Sequence, residues 1–163
     1  MSWIGLLQWI QHTPSSTAIR ESVLVFPILE GMHLLGLALM MAPVLMFDLR
    51  LTGVLWQGDA ASKVKRVFLP ITFFGFAVMI TTGLLLFWSE PLRCWESGYF
   101  RIKVVMLALA GLNALVFHST LDRHIVDWDT VSPPPARARW AGVLSLTLWT
   151  GVIFAGRYTA YHL

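Results

Sequence analysis

Hydrophobic residues run through this chain in four long stretches that are separated by shorter polar connections. The stretches cover residues 22–49, 67–88, 100–120 and 140–161, and each reaches the roughly 20 residues that an α-helix needs to cross a bilayer. Tryptophan or tyrosine flanks every stretch near at least one end, as is typical of a water–lipid boundary. The pattern predicts an all-α integral membrane protein, a four-helix bundle that forms one domain over residues 1–163.

Residues 2–12 show a different pattern, with an apolar face on one side of a helix and polar residues opposite. The apolar face is formed by Trp3, Leu6, Leu7 and Ile10. A helix of this length is too short to span, so we expect it to lie in the membrane interface. Pro14 is expected to end it, and Pro27 and Pro43 are expected to kink the first long stretch.

Composition and charge support a membrane protein and exclude a nucleic-acid-binding one. With 56% hydrophobic and 13% charged residues, the chain is too apolar for an ordinary soluble domain. Its basic residues do not form a patch interleaved with exposed aromatic residues, so no nucleic-acid partner is expected. Seven of them lie in the connections after the first and third stretches, and five lie on the other side. This bias predicts a bacterial inner-membrane protein with both termini on the periplasmic side.

Two ionisable residues, Glu30 and His33, lie well inside the first apolar stretch. A charged side chain in hydrocarbon costs about 2.5–3.5 kcal/mol on insertion scales. The two residues are three positions apart, so on a helix they share a face, and we expect that face to point into the bundle. There Glu30 either forms an ion pair with Arg157 of the fourth stretch or acts as a proton-relay or ligand-orienting carboxylate.

His33 is the candidate ligand for copper or for the iron of a b-type haem, because imidazole binds both metals. Met79 in the second stretch and Met106 in the third are candidate thioether ligands, although methionine is also an ordinary residue of membrane cores. Alternatively, His33 is a neutral histidine that is hydrogen-bonded to a neighbouring helix.

The third stretch contains a second histidine, His118, but its depth argues against a haem held by both histidines. At 1.5 Å per residue, His33 and His118 lie roughly 10–13 Å apart along the membrane normal. We therefore expect His118 at the membrane boundary, where it meets Asp122 one helical turn further on. Asn113 is the better inward candidate in this stretch, as the donor of an interhelical hydrogen bond.

The remaining motifs add little chemistry. We find no nucleotide-binding glycine loop, no nucleophile–base pair and no metalloprotease or paired-cysteine motif, so no active site or catalytic residue is predicted. The single cysteine, Cys94, excludes an internal disulfide and a cysteine-based zinc site, and we interpret it as an inert loop thiol.

The runs EGMHLLGLALMMAPVLMFDLRLTG, FLPITFFGFAVMITTGLLLFWSEP, FRIKVVMLALAGLNALVFH and LSLTLWTGVIFAGRYTAY cover nearly the whole chain. Together they resemble a family of uncharacterised small bacterial inner-membrane proteins. More distantly, the order of a histidine–leucine span, a threonine–glycine span and a lysine-started, asparagine-containing span is similar to the membrane domain of copper-resistance protein D. That resemblance implies copper handling across the inner membrane, although this chain has fewer helices than that family.

Three hypotheses for the function follow from these observations. The first is a small accessory membrane protein that binds copper or b-type haem through His33. The second is a structural or assembly subunit that has a Glu30–Arg157 ion pair and no cofactor. The third is a proton-coupled carrier, which requires a homo-oligomer because four short helices enclose little pathway. In each case the expected partners are the lipid bilayer and other membrane subunits or further copies of the chain.

Overall fold

The computed structural model describes residues 2–161, apart from the side chain of Ala160. In chain order the elements are α1 (Trp3–Gln11), α2 (Pro14–Arg20), α3 (Val25–Thr52), α4 (Ala61–Ser89), α5 (Pro91–Glu96), α6 (Gly98–Thr120), a 3₁₀ helix (Asp122–Trp128) and α7 (Ala136–Tyr161). No strand occurs within these described residues, so the all-α prediction is confirmed.

The four long helices α3, α4, α6 and α7 are long and apolar enough to cross a membrane. They confirm the four predicted spans, with shifted ends. The helix α3 ends at Thr52 rather than at residue 49, because Gly53 takes the left-handed conformation (φ 79°) that commonly terminates a helix. The helix α4 begins at Ala61 rather than at residue 67, because the Asp129 carboxylate accepts hydrogen bonds from the amide and the hydroxyl of Ser62.

The helix α1 ends before Pro14, as predicted, and two of the three prolines lie where a helix tolerates them. Pro14 is the first residue of α2, where a missing amide costs no hydrogen bond, and the Thr13 hydroxyl caps that helix. Pro27 lies in the first turn of α3, where the backbone amide has no helical partner to lose. Its predicted kink therefore has no physical basis in this structure, and only Pro43 lies in the interior of α3.

The predicted helix over residues 2–12 is present as α1, and it groups with α2 and α5 at one end of the bundle. Trp3 of α1 packs edge-on against Trp95 of α5, with ring centroids 5.5 Å apart. The Ser16 hydroxyl and the Arg20 guanidinium of α2 both donate to the Ser89 carbonyl at the end of α4. We call this the upper end of the bundle, and the end that contains the 3₁₀ helix the lower end.

The helix α3 is central, since it packs along both α4 and α7, and α6 packs along α7. Gly36 of α3 and Gly75 of α4 let two backbones touch: a Cβ atom on Gly75 would lie 2.5 Å from the Met40 amide nitrogen. Small residues commonly permit such approaches between membrane helices. Among the described residues, α4 and α6 do not pack along each other as α3 and α4 do. They meet at the upper end, where the rings of Phe87 and Phe100 stack.

A compact hydrophobic cluster closes the lower end of the bundle. It consists of Leu51, Ala61, Phe117, Ile125, Trp128 and Ala138. Ile125 and Trp128 belong to the connection after α6, which the sequence pattern predicts to be only a polar loop. The 3₁₀ helix instead turns these two side chains inward, so the connection forms part of the core.

Candidate functional site

His33 lies on the face of α3 that packs against α4. Its Nδ1 atom is 3.0 Å from the Met79 carbonyl oxygen and 3.0 Å from the Thr82 hydroxyl oxygen. The Thr82 hydroxyl donates its own proton to a carbonyl of α4, at 2.7 Å from Val78. The edge of the ring lies over Gly83, where a Cβ atom would be only 3.0 Å from His33 Cε1. Glycine at this position therefore makes room for the imidazole.

These contacts assign the proton on the His33 ring. A carbonyl oxygen only accepts hydrogen bonds, and the Thr82 hydroxyl has already donated its proton, so Nδ1 must be the donor to both. In the neutral imidazole the lone pair then lies on Nε2. Metal-ligating histidines commonly have this arrangement, in which one ring nitrogen donates to a backbone carbonyl and the other binds the metal.

The other pair of helices contributes a half-buried cation. Lys103 of α6 is within electrostatic range of His33 and of Cys94. The end of its side chain lies over Gly156 of α7, with Nζ 3.7 Å from where a Cβ atom on that glycine would be. Sequence reasoning missed Lys103 because it counted the residue only as one of the boundary charges. The sequence does contain a signal for this residue, because a lysine inside the apolar run of the third stretch is unusual.

The methionine candidates are placed differently. Met79 meets His33 through its main-chain carbonyl, while its side chain is 6% exposed. The Met106 thioether lies over Gly151 of α7, so this residue serves the packing of α6 on α7. The ligand roles predicted for the two thioethers stay predictions.

Asn113 makes an interhelical hydrogen bond, as predicted. Its side-chain amide donates to the Ala141 carbonyl in the first turns of α7, at 3.1 Å. Because Asn113 connects α6 to α7, it stabilises the packing of these two helices.

The structure does not bring Glu30 and Arg157 together. Glu30 is exposed on α3, and its carboxylate has no hydrogen-bond or ion-pair partner among residues 2–161. The Arg157 guanidinium instead donates to the Tyr161 hydroxyl at 2.6 Å and lies 4.5 Å from the centroid of that ring. The expected ion pair is therefore absent from the described part of the chain, because Arg157 is bound within its own helix.

At the lower end, His118 meets Asp122 as predicted, one turn further on in the chain. The same Asp122 carboxylate accepts a hydrogen bond from Lys65 near the start of α4. The ion pair between Lys65 and Asp122 connects α4 to the 3₁₀ helix. His118 thus has a partner at the boundary and lies far in sequence and depth from the His33 site.

Arg50 has a structural role that the sequence does not indicate. From the sequence it is counted only among the basic residues that set the orientation in the membrane. The side chain is 0% exposed. Its Nε donates to the Asp59 carbonyl at 2.9 Å, and its Nη2 donates to the Asp129 carbonyl at 3.0 Å. Arg50 therefore joins the connection after α3 to the connection before α7, and it holds the lower end together.

Cys94 was predicted to lie in a loop and lies instead in the short helix α5. It is a free thiol in α5, outside the long helices. Burial, assisted by the nearby Glu90 carboxylate, raises the pKa of the Cys94 thiol to about 11. The thiolate is the nucleophilic form, so this thiol is unreactive at neutral pH.

Together these features define a multi-pass helical membrane protein with a half-buried histidine between α3 and α4. Among the described residues, no group of three or more histidine, cysteine, aspartate or glutamate side chains could hold a metal ion. Comparison with known protein families, with curated proteins and with solved structures finds no match for this chain.

Proposed function

We propose that this protein is a small membrane-embedded haem-binding protein in which Nε2 of His33 is the axial ligand of a b-type haem. The observation that supports this proposal most is the hydrogen bond from His33 Nδ1 to the Met79 carbonyl. It fixes the orientation of the half-buried ring and leaves the lone pair on Nε2.

The kinds of donor atoms present favour haem over a copper ion that is held by protein ligands alone. A haem carries four nitrogen ligands itself and needs only one or two axial ligands from the protein. A protein-bound copper ion needs several side chains, and the described residues contain no group of three or more histidine, cysteine, aspartate or glutamate side chains that could hold one. When bound, haem supplies one-electron chemistry. His33 would hold the haem iron, and the Met79 carbonyl and the Thr82 hydroxyl would orient His33.

The location is part of the same proposal. We infer a bacterial inner membrane and periplasmic termini, supported by the excess of basic residues in the connections after α3 and α6. In this orientation the upper end, nearer to His33, is periplasmic. The resemblance of the spans to the membrane domain of copper-resistance protein D is consistent with a role in metal or redox handling at this membrane. Such a role would require a partner membrane subunit or a second copy of the chain.

The test is the absorption spectrum of the full-length protein, purified in detergent and titrated with haem b. We expect a saturable Soret band that is lost in His33→Ala and retained in the control His118→Ala, since His118 is bound to Asp122 at the opposite end. Stoichiometric copper that disappears in His33→Ala, without haem binding, would replace haem by copper in the proposal. Binding of neither haem nor copper would contradict the proposal and favour a cofactor-free structural subunit.

A further inference from the structure

A small cavity opens at the lower end of the bundle, between the end of α3 and the start of α7. It has a volume of about 220 Å³ and is lined by Thr52 of α3 and by Ala136, Arg139, Trp140 and Val143 of α7. A water molecule takes up about 30 Å³ in the liquid, so the cavity has room for a compact polar group several times larger. The residues around His33 do not line this cavity, so any ligand in it is distinct from the proposed haem.

The lining residues of α7 change from basic to apolar along the helix axis. The backbone of Arg139 lies four residues before that of Val143, and therefore about 6 Å nearer to the lower end. Trp140 and Val143 are both exposed, and an exposed tryptophan near the end of a span is typical of the water–lipid boundary. A molecule in the cavity therefore meets a cation on its water side and an apolar surface on its lipid side.

Two of the lining side chains have hydrogen-bond donors without a protein partner. The Arg139 guanidinium and the Trp140 indole form no hydrogen bond or ion pair among residues 2–161. The Thr52 hydroxyl, in contrast, donates its proton to the Leu49 carbonyl at 3.0 Å. The free donors of the cavity thus belong to Arg139 and Trp140.

The acidic side chains in the connections after α3 and α6 do not neutralise Arg139, because each contacts another residue. Asp59 pairs with Lys63, Asp122 with Lys65, Asp127 with His124, and Asp129 with the amide and hydroxyl of Ser62. Arg139 therefore offers an unneutralised charge at the mouth of the cavity.

A phosphate group carried by a lipid matches these features. A guanidinium binds phosphate oxygens through two parallel hydrogen bonds, which a lysine ammonium does not do. Basic pockets between membrane helices bind the head groups of anionic lipids. Free inorganic phosphate would meet the same guanidinium, but it would leave the apolar side of the cavity, Trp140 and Val143, without a contact.

We propose that this cavity binds one anionic phospholipid, whose phosphate binds Arg139 and whose glycerol and upper acyl chains lie against Trp140 and Val143. The inference goes beyond the proposed haem binding and does not depend on it. The bound lipid contacts the end of α3 and the start of α7 together, so it joins two segments that are far apart in the chain.

The experiment is native mass spectrometry of the full-length protein, released from detergent after titration with a single lipid. Dioleoyl phosphatidylglycerol is compared with dioleoyl phosphatidylcholine, which has the same acyl chains and no net charge. We expect the wild type to bind the first phosphatidylglycerol about fivefold or more tightly than phosphatidylcholine, the factor that one basic residue beside an anionic lipid contributes. Arg139→Met should remove most of this preference.

Arg137→Met is the matched control. Arg137 is exposed two residues earlier in the same helix and does not line the cavity, so its loss removes the same charge and should leave the preference intact. Arg139→Lys keeps the charge without the planar fork and should be intermediate. Without lipid, Arg139→Met should unfold at the same temperature as the wild type, because its side chain has no partner to lose in the described chain.

The outcomes separate the sources of the phosphate and the kinds of surface. Equal binding of the two lipids to the wild type would overturn the inference, as would an Arg137→Met variant that loses as much preference as Arg139→Met, since the latter indicates a diffuse basic surface. Inorganic phosphate at the concentration of the lipid should not displace phosphatidylglycerol. If it does, the cavity takes free phosphate and the assignment to a lipid is wrong. Haem binding by His33 is unaffected by any of these results.

Discussion

Replacement of Arg50 by methionine should destabilise the lower end of the bundle strongly. The side chain is fully buried, and it donates two hydrogen bonds to carbonyls of separate segments, Asp59 and Asp129. A hydrogen bond from a charged group contributes about 1.5–3 kcal/mol, so loss of both corresponds to about 3–6 kcal/mol. The variant also avoids burying a guanidinium, which offsets part of the loss. We therefore expect a decrease of about 3 kcal/mol in the free energy of unfolding.

The assay is reversible unfolding in mixed micelles, followed by circular dichroism. Arg139→Met is the matched control, since Arg139 is exposed near the start of α7 and has no hydrogen bond or ion pair to lose among the described residues. Its effect should be within about 0.5 kcal/mol of zero. The variant Arg50→Lys should be intermediate, because an ammonium lacks the planar fork that reaches two carbonyls at once. Unfolding of Arg50→Met at the wild-type midpoint would refute the assignment of Arg50 as the residue that holds the lower end.

Three further predictions concern residues elsewhere in the bundle. The effects of Glu30→Gln and Arg157→Gln on the free energy of unfolding should be additive in a double-mutant cycle, with a coupling below about 0.5 kcal/mol, since the two side chains do not meet. A larger coupling would show that the two residues form an ion pair after all. Gly75→Ala should lower the free energy of unfolding by about 1–3 kcal/mol, because the added methyl group would overlap the backbone of α3. Gly111→Ala is the control and should be neutral or stabilising, since the space beside Gly111 is open. Equal effects of the two substitutions would contradict the packing of α3 on α4. Cys94 should react with iodoacetamide at pH 8 about 100-fold more slowly in the folded protein than in the unfolded chain, because burial raises the pKa of its thiol from 9.0 to about 11. The reaction rate of the folded protein should rise as the pH approaches that pKa. Equal rates in the two states would refute the burial of the thiol.

The pattern of apolar and polar residues was sufficient to predict the number and type of the long helices. Four apolar stretches predicted four spans, and for these spans the structure differs only in where each helix begins and ends. Gly53 is a local signal for the end of α3, but the start of α4 depends on a contact that a local pattern does not contain. The Asp129 carboxylate that caps α4 at Ser62 lies 67 residues away in the chain, so no local signal predicted that α4 would begin early.

The candidate site was predictable only in part, for the same reason. An imidazole inside an apolar stretch was visible in the sequence, but its partner is the Met79 backbone carbonyl, 46 residues away, and any residue type supplies a carbonyl. The Glu30–Arg157 ion pair was predicted from similar depth alone. Depth does not fix the rotation of a helix, and in the structure Arg157 turns to Tyr161 instead. The burial of Arg50 does not follow from its position after the first span, because it depends on a connection that folds back from another part of the chain.

The central claim is that His33 carries its proton on Nδ1 and offers a lone pair on Nε2. Nitrogen-15 NMR of histidine-labelled protein in which the other four histidines are replaced tests this claim most directly, because the two ring nitrogens give distinct shifts in each protonation state. We predict a protonated Nδ1 and an unprotonated Nε2 in the ligand-free protein, and when haem b is added we predict a changed Nε2 signal while Nδ1 keeps its proton. A proton on Nε2 in the ligand-free protein, or a spectrum that haem b leaves unchanged, would contradict the claim.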